Sequence, residues 1–135
     1  MKLIDSNIII YASKPGFDHL HPLLAEAEVA VSVITQVETL GYHQLTADEK
    51  RYLAEFFGNV ERLPVSEAVV QQAIALRQMR TIKLGDSLIA ATAMAHGATL
   101  VTHNAEDFKW IAGLAVLDPF PPQNSGQLRG RSDNC

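Results

Sequence analysis

The chain has 135 residues, 47% of them hydrophobic, which is enough for one full core and too short to divide comfortably into two. Its longest apolar stretches, such as residues 29–34 and 88–95, fall well short of the roughly 20 residues that cross a bilayer, and Asp5 interrupts the N-terminal apolar run, so the expectation is a cytoplasmic protein with neither a membrane span nor a signal peptide. The single cysteine, Cys135, excludes an internal disulfide and a thiolate zinc cage, while the net charge of -4 argues against phosphate binding unless bound cations offset it.

Residues 2–5 form a short apolar run that predicts a first buried strand, followed by a helix over 6–12 capped by Asp5 or Ser6. Pro15-Gly16 is a turn, and from Asp18 the residues Leu20, Leu23, Leu24 and Ala27 recur at helical spacing, with Pro22 tolerable close to the helix start. The branched residues of 29–34 predict a second strand and 35–44 a helix. Thr46-Ala47-Asp48-Glu49 is a capping-box signature for a helix through Phe57, closed by Gly58-Asn59. A weak strand over 60–65 is broken by Pro64, and Ser66 caps a long helix ending near Arg80. Gly85-Asp86 precedes an alanine-rich helix over 87–96 that stops at Gly97. A strand over 99–102, a short helix over 104–111 and a last strand over 115–117 complete the series. Strands that alternate with helices imply an α/β fold, a parallel sheet flanked by helices on both faces. After Asp118 the composition shifts to proline and then to Gly, Ser and Arg, so the domain is placed at 1–118 and a flexible or loosely docked tail at 119–135.

Ligands of an open parallel sheet bind beyond the carboxyl ends of its strands. Asp5 ends the first strand, Glu38 follows the second and Asp107 follows the fourth, whereas Asp86 belongs to a helix N-terminus. Four acids on one edge repel, so the fold must raise a pKa or hold a cation. Helix capping is the competing account of each acid, since Thr35-x-x-Glu38 and Asn104-x-x-Asp107 both resemble capping boxes. Arg77, Arg80 and Lys83 precede Asp86 and can grip a phosphate backbone or merely line a solvated helix face; Arg129 and Arg131 add positive charge in the tail. His19 and His21, two residues apart, point to different sides of a helix and do not share a ligand. His43 and His96 are isolated, His103 is a candidate substrate contact, and Phe108 and Trp110 pack the short helix on the core, with base stacking on Trp110 a minor alternative. Tyr42, Tyr52, Phe56 and Phe57 belong either to the core or to an exposed surface for a second subunit or a partner segment.

Four motifs, Ile4-Asp5-Ser6-Asn7, Ser32-Val33-Ile34-Thr35-Gln36-Val37-Glu38, Lys83-Leu84-Gly85-Asp86-Ser87-Leu88-Ile89-Ala90-Ala91-Thr92-Ala93 and Thr102-His103-Asn104-Ala105-Glu106-Asp107-Phe108, occur in the order and spacing of one known family. Over residues 1–118 the chain resembles the PIN-domain family, in particular the VapC-type ribonuclease toxins of toxin-antitoxin pairs. The resemblance implies that Asp5, Glu38, Asp86 and Asp107 are catalytic, metal-site carboxylates, with Ser6, Thr102 and Asn104 as supporting polar contacts; Asn104 can share the role of Asp107. It also implies an RNA substrate, an antitoxin partner that fills the acidic groove and a homodimer. Carboxylates suit Mg2+ or Mn2+ better than zinc, and two such ions serve an in-line attack of water on a phosphodiester that leaves a 5'-phosphate and a 3'-hydroxyl. Two further readings stand beside the Mg2+-dependent endoribonuclease: a non-catalytic scaffold of the same fold that binds RNA or protein, and a phosphatase-type hydrolase with Asp5 as nucleophile. The latter generally needs an acid where this chain has Asn7.

Overall fold

The computed structural model describes residues 1–121. Its strands are β1 (Lys2–Ile4), β2 (Val29–Ser32), β3 (Glu61–Leu63), β4 (Thr99–Val101) and β5 (Val116–Leu117), joined side by side in the order β3-β2-β1-β4-β5 with every neighbouring pair parallel. Between them run α1 (Ser6–Ala12), α2 (His21–Leu24), α3 (Val33–Leu40), α4 (Ala47–Asn59), α5 (Glu67–Met79) and α6 (Leu84–Ala95), with short 3-10 turns at Asp18–Leu20 and Ala105–Asp107. Among the described residues no helix is long and apolar enough to cross a membrane.

Successive strand residues point to opposite faces of a sheet, and here both faces are covered. Leu3, Ala30 and Leu100 join Leu76 of α5 and Ile89, Ala90 and Ala93 of α6 in one core, to which Phe108 and Ile111 belong. Ile4, Val31 and Val101 face the other way, into a core with Ile8 and Ile9 of α1 and Leu53 and Phe57 of α4. The alanines of α6 permit close packing: Ala91 meets Val69 and Ala73 of α5 in a third, smaller cluster. Gly97, at φ 61, ends α6 in a Schellman turn, with Ala98 N donating to Ala93 O at 2.8 Å and Gly97 N to Met94 O at 3.3 Å.

Several boundaries differ from the sequence expectation for local reasons. The second strand stops at Ser32 because that side chain accepts from Ile34 N at 3.0 Å and starts α3 there. Thr35 is therefore buried inside the helix and caps nothing. The alanine-rich helix begins at Leu84 and not at Ser87, and Asp86 lies in its first turn, at the helix N-terminus where the sequence places it. Residues 104–111 make only a 3-10 turn, and Asn104 gives it no side-chain cap. The helix expected from Asp18 is a 3-10 turn followed by four residues of α2, with Pro22 tolerated at the start and Ala27 outside. Phe57 is buried and Tyr52 and Phe56 pack on the second core, which leaves Tyr42, 50% exposed, as the surface member of that aromatic group.

Contacts with the core continue just past Asp118. Phe120 packs on the second core and stacks on His103 with ring centroids 3.9 Å apart, while Asp118 Oδ1 accepts from Phe120 N at 3.0 Å. Prolines flank this aromatic anchor in the sequence. The rest of the expected tail, residues 122–135 with Arg129, Arg131 and Cys135, lies outside the described residues.

Candidate functional site

From β1 the chain moves outward in one direction to β2 and β3, and from β4 in the other direction to β5, so the topological switch point lies between β1 and β4. Asp5 and Thr102 leave the two strands there. The register pairs Ile4 with Val101, and Asp5 N donates to Val101 O at 2.8 Å, so the acid emerges directly beside the threonine. Thr102 Oγ1 donates to Asp5 Oδ2 at 2.8 Å, and Ser6 N donates to Asp5 Oδ1 at 2.8 Å, which makes Asp5 the N-cap of α1 as well. Capping and site geometry are here the same contact.

Asn7 is the contact that sequence reasoning passed over. Its Nδ2 donates to Thr102 Oγ1 at 3.4 Å and its Oδ1 accepts from His103 N at 3.3 Å, tying α1 to the loop after β4. Asn104 N also donates to Thr102 Oγ1, at 3.0 Å. The threonine hydroxyl thus has its acceptor capacity filled by Asn7 and Asn104 and its proton directed at Asp5. Asn104 contributes through its backbone, and its position two residues after Thr102 was the available signal.

Glu38 reaches the site from α3. Ser6 Oγ donates to Glu38 Oε1 at 2.6 Å and lies 3.2 Å from Thr35 Oγ1. Gly85 is pressed against the same carboxylate: a Cβ on that residue would overlap Glu38 Oε2. The glycine before Asp86 therefore permits α6 to approach α3 closely, a use its sequence position did not disclose.

The four acids influence one another through charge. Burial pushes the Asp5 carboxyl up from 3.8 to about 6, the hydrogen bonds from Thr102 and Ser6 oppose that rise, and the charges of Asp86 and Glu38 add to it. Asp86 is raised by burial first and then by Glu38 and Asp107, with Lys83 pulling the other way. Glu38 and Asp107 are exposed, whereas Asp5 is 5% exposed and Asp86 intermediate. The structure therefore brings all four onto one edge as a graded patch, deepest at Asp5. Among the described residues, no three His, Cys, Asp or Glu side chains converge tightly enough to chelate a single ion. Donor chemistry and charge fit a hard divalent cation, since oxygen ligands suit it and its charge would relieve the repulsion recorded at Asp5 and Asp86.

A cleft of about 380 Å³ continues from the patch, lined among others by Arg80, Lys83, Asp86, Glu106, Asp107 and Trp110. Arg77 does not line it; its Nη1 donates to Ile82 O at 2.9 Å and staples the loop between α5 and α6. Phe108 is buried as expected, but Trp110 is only half-buried and meets Arg80. The His103 ring has Nδ1 3.2 Å from Asp118 and its face on Phe120. His19 and His21 separate as expected, His19 against Phe120 and His21 with Nε2 2.9 Å from Ala12 O.

Residues 2–114 match the PIN domain family. The chain is 27% identical over 126 residues to the tRNA(fMet)-specific endonuclease VapC of Salmonella typhimurium, covering 86% of this chain and 96% of that protein. It is 56% identical over 41 residues to Ribonuclease VapC1 of Rickettsia felis, covering 30% of this chain and 31% of that protein. A solved toxin-antitoxin complex from Klebsiella pneumoniae contains a chain with 28% identity and a TM-score of 0.69, covering 90% of this chain and all, 100%, of that one. Its parallel α/β sheet and a family match from β1 to Leu114 together decide the family: this protein belongs to the PIN domain family.

Proposed function

We propose that this protein is a Mg2+-dependent endoribonuclease, with Mn2+ as an alternative ion, that acts as the toxin of a toxin-antitoxin pair in the cytoplasm. The observation that carries the proposal is the Asp5 carboxyl, buried at the switch point and held high with Glu38 and Asp86 charges facing it. Asp5, Glu38, Asp86 and Asp107 would hold divalent metal between them across the acidic edge, and the bound metal would supply Lewis acidity to the attacking water and the leaving oxygen of the phosphodiester. Ser6 and Thr102 orient Glu38 and Asp5 through the hydrogen bonds at 2.6 Å and 2.8 Å, and the backbone of Asn104 holds Thr102. Arg80 and Lys83, beside Asp86 in the cleft, receive the RNA backbone. The names of the VapC relatives and the toxin-antitoxin neighbour support nuclease activity and an antitoxin partner. A homodimer is carried over from the family resemblance.

Incubation of the purified protein with total RNA in Mg2+ or EDTA, followed by mapping of the cut ends, tests this reading. The expected result is cleavage in Mg2+ only, leaving 5'-phosphates and 3'-hydroxyls, and its loss in Asp5→Asn and Asp86→Asn. Cleavage that persists in EDTA refutes the metal mechanism. RNA that binds but stays intact in both Mg2+ and Mn2+ points to the non-catalytic scaffold.

A further inference from the structure

Arg80 follows the last turn of α5, and its guanidinium carbon sits 4.9 Å from the centroid of the Trp110 ring. The ring is held in place, because Trp110 Nε1 donates to Asp107 O at 2.9 Å and part of the side chain packs on the first core. Arg80 itself is exposed, so it covers the solvent side of the indole. Asp86, Glu106 and Asp107 line the same cleft, yet among the described residues neither Arg80 nor Lys83 has a carboxylate oxygen within ion-pair distance. Two cations kept off neighbouring acids beside an oriented aromatic plane are the parts of a single-stranded nucleic-acid subsite: stacking is tolerant of base identity, and the cations take phosphate. The cleft's volume, about 380 Å³, lies near the lower end of the roughly 300–1,000 Å³ of small-ligand sites, which suits one nucleotide.

Resting on the endoribonuclease reading above, we propose that Trp110 and Arg80 form a nucleotide-positioning subsite next to the carboxylates, in which an unpaired RNA base stacks on the indole and the guanidinium moves onto the adjoining phosphate. The pair positions the nucleotide that flanks the scissile bond whatever its base, and it takes no part in the chemical step.

Trp110 is the single tryptophan of the chain, so its emission reports this subsite alone. The full-length protein, in Ca2+ in place of Mg2+ to keep the strand whole, is titrated with a fluorescein-labelled ten-nucleotide oligouridylate and with an abasic ribose-phosphate strand of equal length. Binding is read in parallel from label anisotropy. Saturable quenching by oligouridylate and little by the abasic strand is expected. Trp110→Ala should weaken anisotropy-detected binding by about 5- to 150-fold, with Trp110→Phe between the two, and Arg80→Gln should lower the slope of log affinity against log salt by about one. Binding with unchanged emission, or equal quenching by the abasic strand, overturns the subsite and leaves the RNA reading standing. No binding by either signal overturns both.

Discussion

Replacing Asp5 by asparagine removes a charge that the fold buries and that its neighbours repel. The carboxyl sits at about 6 in the folded protein against an ordinary 3.8, so between those values the native state holds more protons than the unfolded chain, and stability falls as pH rises through that window. Each pH unit is worth about 1.4 kcal/mol, so ionised Asp5 destabilises the metal-free fold by about 3 kcal/mol above pH 6 relative to pH below 4. Asparagine escapes that penalty but forfeits one contact. The ionised wild-type side chain accepts from Ser6 N at one oxygen and Thr102 Oγ1 at the other, whereas an amide, like the protonated carboxyl, has one carbonyl acceptor, so the variant forfeits about 1–3 kcal/mol of hydrogen bonding against the ionised form alone. The Asp5→Asn variant should therefore lie close to wild type at pH 4, where the wild-type carboxyl is protonated, and be more stable than wild type at pH 7. The difference between the proteins should move by about 3 kcal/mol across that range, in the direction that favours the variant at the higher pH, whatever the size of the hydrogen-bond loss. Urea unfolding of both proteins in EDTA at intervals from pH 4 to pH 8 measures this. A difference that is flat with pH, or that runs the other way, refutes the assignment of Asp5 as the buried, repelled carboxylate. Mg2+ at pH 7 should then stabilise the wild type more than the variant.

Gly85→Ala should displace the Glu38 carboxylate that lies against the glycine and disturb its bond to Ser6, lowering kcat/KM at least tenfold while the thermal midpoint moves little; unchanged kinetics would remove Gly85 from the site. Thr46→Ala removes the cap of α4, whose Oγ1 accepts from Glu49 N at 3.1 Å, and should cost about 1 kcal/mol in urea unfolding without altering RNA cleavage.

What was legible in the chain depended on how local its cause was. The capping box at Thr46, the Gly97 stop and the apolar runs of β1, β2 and β4 are decided within a few residues and were readable as such. Motif order singled out Asp5, Glu38, Asp86 and Asp107 as candidates, whereas periodicity alone left capping as an equal account. The misplacements share a different origin. Ser32 accepts from Ile34 N and so ends a strand that its branched neighbours favour, a contest that composition does not resolve. Phe120 lies in a proline-rich stretch, and only its distant partners Tyr11 and His103 reveal that it is anchored. Arg77 and Arg80 look alike in sequence, but one is occupied by the carbonyl of Ile82 and the other rests on Trp110. The closeness of Gly85 to Glu38 requires α3 and α6 to meet, which no local pattern encodes.

The brevity of β1 has a further consequence. In three residues it sends Leu3 to one core and Ile4 to the other and then delivers Asp5 to the switch point. Inserting or deleting one residue there would exchange the two apolar side chains between faces and carry the acid off the edge in the same stroke. Chemistry and folding therefore share one reading frame along this strand, so a change in its length costs both together.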